Sequence, residues 1–392
     1  MTRPESDPTR RTLLAAGAAS ACAVVLAACA RTGAGDGGAA GPDAAGTAAT
    51  PTDGPRVDGT VAEGLDNPWS IAFLPDDTAL VSERDTGVIR SIAAGAGGAG
   101  PSGVPPVLGV VPGVVHGGEG GLLGLVASPD FATDRLLYAY FTAGDGNRVS
   151  RFELGPQGLG AEQPVLTRIP SAGNHNGGRI KFGPDGMLYV GTGDAANREA
   201  SQDPDSPAGK ILRLDPADER VTLPVEASGG LAHTSGHRNV QGLAWDADGR
   251  MWATEFGPDR DDELNLVEPG ANYGWPAVTG AEGEGYTPAV HVWPSTADAS
   301  PSALAIVEGV AYAACLRGQR LWRLPLPEPG RETEAGGTLP GAAEFLRGGY
   351  GRLRDVVVAP RGAAAGDRPE LWVATNEGGA SRILRVTLAE GG

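Results

Sequence analysis

The sequence predicts an all-β chain: a six-bladed β-propeller of four-stranded antiparallel blades. Three observations carry this. Glycine is abundant while long amphipathic helical runs are missing. One pattern recurs six times: a short apolar stretch, a turn usually rich in Pro, Asp or Gly, then alternating apolar residues. The copies follow one another at roughly 50–60 residues, a spacing suited to propeller blades.

The first copy is Trp69-Ser70-Ile71-Ala72-Phe73, a turn at Pro75-Asp76-Asp77, then Ala79 to Glu83. The second runs Leu122 to Val126, turns near Pro129-Asp130 and continues Leu136 to Tyr140. The third is Arg179 to Phe182, Pro184-Asp185-Gly186, then Leu188 to Gly191; the fourth is Gly242 to Trp245, Asp246 to Gly249, then Met251 to Thr254. A weaker fifth copy pairs Ser302 to Ile306 with Val310 to Ala314, and the sixth pairs Arg354 to Val358 with Leu371 to Thr375. Most copies end in a further strand, such as Lys210 to Leu214 or Arg382 to Val386. A small sheet of this kind buries its faces only against its neighbours, so the ring must close. A strand around Thr60 to Ala62 is expected to complete the last blade. The competing architecture is a β-sandwich with irregular insertions.

The N-terminal end reads as an address. Arg10 and Arg11 resemble a twin-arginine export signal, and the apolar run from Leu13 to Ala28 is short for a membrane span. It ends at Leu26-Ala27-Ala28-Cys29, which resembles a lipobox with Cys29 as the lipid-anchored new N-terminus; a plain secretory signal is the alternative. Residues 30–55 are poor in large apolar side chains, as a flexible tether would be. The expected organisation is therefore signal 1–29, tether 30–55 and propeller 56–392. A net charge of −17 with few lysines argues against nucleic acid or an anionic membrane surface as partner, leaving the lipid as the membrane contact. Cys315 stands alone in the mature domain and reads as a small buried residue.

Candidate chemistry lies on polar, Gly-rich loops, which converge at one mouth of a propeller's channel. Asn174-His175-Asn176-Gly177-Gly178-Arg179 offers a histidine that can act as a general base or serve as a turn residue. Gly236-His237-Arg238-Asn239-Val240-Gln241-Gly242 offers an arginine that can grip an oxygen anion or brace its loop. Carboxylates interleaved with Gly and Pro from Glu255 to Asn265, followed by Asn272-Tyr273-Gly274-Trp275-Pro276, suit an oxygen-seeking cation such as Ca²⁺ or form a solvated acidic loop. Arg352 and Arg354 lie two apart, on one face of an extended strand, and can hold one multiply charged anion.

In this order, and together with Glu119-Gly120-Gly121-Leu122-Leu123-Gly124, these motifs resemble the soluble pyrroloquinoline quinone (PQQ)-dependent sugar dehydrogenases, over roughly Leu65 to Val386. The resemblance implies oxidation of an aldose at C1 to the lactone, with PQQ and Ca²⁺ as cofactors and a further electron acceptor. It implies His175 as base, with Arg238 at the reacting quinone carbonyl and Asn239 on PQQ. The carbonyls of Gly257 and Pro258 would bind the calcium that also ligates PQQ. Arg352 and Arg354 would hold the PQQ carboxylates, and Glu263 with the Tyr273 carbonyl a second, structural calcium. Glu119 stands where the family often has Gln, Arg317 aligns with a cofactor-contacting Lys, and Asn174 precedes the histidine where the glucose branch has Asp. These departures favour the broader aldose branch and leave the sugar open. The rival readings are a non-catalytic binding propeller, which would have lost His175 or an arginine, and a calcium-dependent lactonase. A lactonase has no need for paired arginines.

Overall fold

The computed structural model describes residues 54–93, 95, 103–216, 230–280, 283–331, 336–360 and 369–388. The expected signal with Arg10, Arg11 and Cys29, and the tether as far as residue 53, lie outside them.

Six antiparallel sheets form a ring. Blade 1 comprises Pro68–Phe73, Ala79–Glu83, Val88–Ile92 and Val107–Val110. Blade 2 comprises Leu122–Ala127, Leu136–Ala143, Gly146–Gly155 and Gln163–Ile169, with the two-residue strand Gly158–Leu159 added beside the third. Blade 3 is Ile180–Phe182, Leu188–Gly191, Ile211–Leu214 and Ala232–Thr234; blade 4 is Val240–Trp245, Met251–Glu255, Asp262–Val267 and His291–Trp293. Blade 5 is Pro301–Val307, Val310–Cys315, Arg320–Pro325 and Ala343–Phe345. Blade 6 takes Leu353–Val358, Glu370–Thr375 and Ser381–Thr387 from the C-terminal end and its outermost strand, Arg56–Leu65, from the N-terminal end. Arg56 pairs with Thr387 and Leu65 with Ser381, so the ring is closed by hydrogen bonds between distant parts of the chain.

The first strand of each blade touches the first strand of the next all the way round. Apolar clusters fill the six gaps between blades. Leu80 and Ile89 meet Leu137 and Phe141 between blades 1 and 2, and Trp252 and Leu264 meet Ala311 and Cys315 between blades 4 and 5. Val61 and Ile383 pack on Ile71 and Val81 where blade 6 returns to blade 1. The first two strands of each blade are therefore mostly buried on both faces, which is why the copies read as near-continuous apolar runs. Cys315 is fully buried among these side chains.

Several boundaries differ from expectation by a residue or more, and blades 2 and 3 give two examples. The second strand of blade 2 runs on to Ala143 rather than ending at Tyr140. Blade 3 begins at Ile180 rather than Arg179, because Gly177 and Gly178 before it adopt φ of 63° and 112°, outside strand geometry.

Candidate active site

The loops that lead into the first strands and out of the second strands meet over one end of the central channel. There they enclose a cleft of about 190 Å³ whose walls include Trp69, Glu119, Phe256, Arg317, Arg352 and Arg354. His175, Arg238 and Asn239 stand beside this lining, each bonded to a residue that belongs to it.

His175 is held from both sides. Its backbone N–H donates to Glu119 Oε2 at 2.9 Å, and its carbonyl accepts from Ala195 N–H at 3.1 Å. These bonds retain a left-handed backbone, φ 55°, that a residue with a Cβ seldom adopts. The imidazole Nδ1 lies 2.7 Å from Asp194 Oδ1, and Trp275 Nε1–H donates to Asp194 Oδ2 at 2.9 Å. Burial alone would raise Asp194. The hydrogen bond and charge of His175, with the donors of Trp275 and Ala196, outweigh it and hold the carboxyl below its usual range. An ionised Asp194 accepts only, so Nδ1 carries the proton and Nε2 of a neutral ring keeps its lone pair. Nε2 has Asn174 Nδ2 at 3.3 Å. Gly177, next along the loop, cannot carry a side chain: a Cβ there would lie 2.5 Å from the backbone of Gly191 and Thr192.

Arg238 packs its guanidinium over the Trp275 ring, 5.4 Å from the centroid, and donates to the Phe256 carbonyl at 3.0 Å. Burial lowers its basicity, opposed by the charges of Asp194, Glu255, Glu119 and Asp262. Its Nε is buried without a hydrogen-bond partner among the described residues. Asn239 is fully buried; its Oδ1 accepts from Gly177 N–H at 3.0 Å while its Nδ2 has no partner among the described residues.

Arg84, Arg317, Arg352 and Arg354 all line the cleft, against a single lining carboxylate, Glu119. Arg354 donates to Gln241 Oε1 at 3.2 Å and leaves a buried Nε unpartnered. Burial and the like charges of Arg84, Arg352 and Arg179 bring its guanidinium down to about 9 against the pull of Glu119. Arg352 is lowered by burial, then by Arg84 and Arg317. Cations crowded this closely in a half-dry cleft call for a multiply charged anion.

The acidic stretch folds into a second, smaller cavity of about 10 Å³, bordered by Glu255, Gly257, Glu263 and Tyr273, room for one water-sized species. Glu263 is pushed well above its usual range by burial and the adjacent Glu255 charge. Glu255 accepts from His237 Nδ1, Arg238 N–H and Asn265 Nδ2. The carbonyls of Gly257, Pro258 and Tyr273 accept no hydrogen bond among the described residues. Gly257 thus shares a cavity with Glu263 and Tyr273, residues that the sequence resemblance divided between two cation sites, while Pro258 is outside its lining. Among the described residues no three His, Cys, Asp or Glu side chains gather as a metal site, so a cation here depends on backbone carbonyls. Asp262 ties the region together, accepting from Gly257 N–H at 2.9 Å and Ser300 N–H at 2.6 Å.

Residues 65–383 match the family model described as glucose/sorbosone dehydrogenase. The chain belongs to that family. Solved members resemble it over most of its length. A PQQ-bound aldose sugar dehydrogenase from Streptomyces coelicolor is 43% identical, with a TM-score of 0.74, covering 86% of this chain and 99% of that one. A putative oxidoreductase (glucose dehydrogenase) from Thermus thermophilus is 38% identical, with a TM-score of 0.71, covering 85% and 100%. The aldose sugar dehydrogenase of Escherichia coli is 36% identical over 234 residues, 55% of this chain and 60% of that protein.

Within this family member, the expected site residues Glu119, Arg317, Arg352 and Arg354 share one cleft, with His175, Arg238 and Asn239 at its edge. Sequence reading missed Asp194, the Trp275 indole, Arg84 and Asp262. Asp194 and Arg84 each follow the end of a blade's second strand, on the same end of the ring as His175, and that shared position was the signal available.

Proposed function

We propose that the protein oxidises an aldose at C1 to the lactone, using PQQ held with calcium. The observation that carries this reading is the cleft's four guanidiniums facing one carboxylate, with a histidine beside them whose Nδ1 is held by Asp194 and whose Nε2 meets only the Asn174 amide among the described residues. The donor set fits a planar tricarboxylate: unpartnered buried N–H groups remain on Arg354, Arg238 and Asn239. The PQQ-bound Streptomyces relative supports the same ligand.

When bound, PQQ supplies a quinone carbonyl that accepts hydride, and Ca²⁺ polarises it as a Lewis acid. Arg84, Arg317, Arg352 and Arg354 bind the carboxylates, and Arg238 directs its free donor toward negative charge. His175 Nε2 takes the proton of the sugar's anomeric hydroxyl, while Asp194 fixes the tautomer and steadies the imidazolium. Free carbonyls at Gly257 and Pro258 suit the catalytic cation. The small cavity that Glu263 and Tyr273 share with Gly257 suits a structural one, which would offset two adjacent buried carboxylates. The proposal also has the protein exported and lipid-anchored at Cys29, which rests on the N-terminal sequence.

The test is an absorbance titration of apo-protein with PQQ and Ca²⁺, followed by aldoses. Wild type should bind both and bleach the quinone on addition of sugar. Arg354→Ala should weaken PQQ binding by about 1.5–3 kcal/mol, for one lost charge-assisted hydrogen bond. Failure of wild type to bind PQQ in excess Ca²⁺ would overturn the reading.

A further inference from the structure

The channel has a second mouth. In blades 1, 4 and 6 residues near the start of the first strand line the cationic cleft, and residues further along all six first strands line an open funnel of about 580 Å³. Trp69 borders the cleft while Ile71 borders the funnel; Gln241 and Trp245 divide in the same way, as do Arg354 and Val357. We propose that this funnel binds a free amphiphilic monocarboxylate, its headgroup on Lys181 and its hydrocarbon body along the aliphatic walls.

The charge balance favours this occupant. Among the described residues Lys181 is the one charged residue lining the funnel, and its ammonium has no hydrogen-bond partner there. Deeper in the channel, buried Arg179 faces buried Asp355 at 3.1 Å, and Asp355 also accepts from Ile71 N–H at 2.7 Å. Two cations therefore face one carboxylate, leaving one positive charge at the funnel's inner end. Burial, and after it the Arg179 charge, disfavour the Lys181 ammonium, with Asp355 opposing them. One negative charge would neutralise it.

The walls select the rest of the ligand. Ile71, Leu125, Leu304, Ile306 and Val357 offer hydrocarbon, and Val358 leaves an apolar rim 42% exposed. A sugar would lose hydroxyl hydration against such walls without replacement partners. An inorganic anion would leave the walls wet. The volume lies within the range of roughly 300–1,000 Å³ usual for small-ligand pockets. Buried Arg179 and Asp355 separate the funnel from the cofactor cleft, so the two ligands would not compete.

Calorimetry of octanoate and of 1-octanol on the full chain tests this. Octanoate should saturate one site per chain, and Lys181→Met should weaken it about 10- to 150-fold, the worth of a charge-assisted hydrogen bond. Octanol should bind wild type more weakly than octanoate does, and Lys181→Met equally. Val358→Trp, at the exposed rim, should block octanoate with Lys181 intact, and decides the matter if Lys181→Met does not fold. Arg354→Ala should leave octanoate binding unchanged. The proposal fails if octanoate does not saturate on wild type, if Val358→Trp binds it as wild type does, or if the site is lost with Arg354 instead of Lys181.

Discussion

Two histidine–carboxylate pairs in this propeller are built on the same bond and set in opposite surroundings. His175 Nδ1 meets Asp194 at 2.7 Å and His237 Nδ1 meets Glu255 at 2.8 Å. The His237 ring is sealed: its side chain is 0% exposed, Nε2 meets Thr234 Oγ1 at 2.8 Å, and Tyr273 stacks on it at 4.7 Å. The His175 side chain stays 13% exposed, and its Nε2 meets only the Asn174 side-chain amide, at 3.3 Å. A carboxylate behind a histidine is therefore not by itself a mark of catalysis. What separates the pairs is whether the second nitrogen is sealed inside the protein or lies at a partly exposed loop beside the cleft.

The comparison can be broken by exchanging the consequences of losing each ring. His175→Ala should slow reduction of bound PQQ by an aldose about 10²- to 10⁴-fold, the usual cost of a positioned general base. Cofactor affinity and melting temperature should stay near wild type, as read by stopped-flow absorbance and thermal unfolding. A wild-type rate would make His175 a loop residue and move the base elsewhere.

His237→Leu should do the reverse. It strips partners from Thr234 and Glu255 inside a packed region, a loss of about 2–4 kcal/mol of stability on unfolding in denaturant. An unchanged melting curve with a collapsed rate would erase the distinction between the pairs.

A third histidine sharpens it at smaller scale. His291 is buried against Trp293, accepts from Leu339 N–H at 3.0 Å and has no partner at Nε2. Burial holds its imidazole down to about 4. The unfolded chain takes up this proton first, near the ordinary value of about 6.5, so stability is full above that pH and falls as pH drops toward 4. At pH 5 the contribution lost is about 2 kcal/mol. His291→Phe should flatten stability against pH across this window in urea titrations. An equally steep profile in the variant would assign the acid sensitivity to other groups.

Much of the architecture was legible in the residues alone. The repeated apolar runs and turns are local signals, because a strand buried on both faces advertises itself over five or six residues. Closure by a strand near Thr60 followed from the same logic, since six incomplete sheets need a partner for the last. The family motifs marked His175 and Arg238 in Gly-rich loops, and the Arg352–Arg354 pair where a loop runs into a strand.

What the residues did not disclose depends on juxtaposition across the ring. Asp194 reads as an ordinary turn acid until the loops after Gly191 and before Trp275 are brought together around it. Arg84 reads as a surface partner of Asp85 until the ring sets it beside Arg352 and Arg354. Gly257 and Glu263 share one small cavity only because the loop between them folds back through Asp262. Pattern along a strand is set by which face is buried, and the sequence carries that directly. The charge and polarity of a cleft are sums over side chains from separate blades, and those sums exist only once the ring has closed.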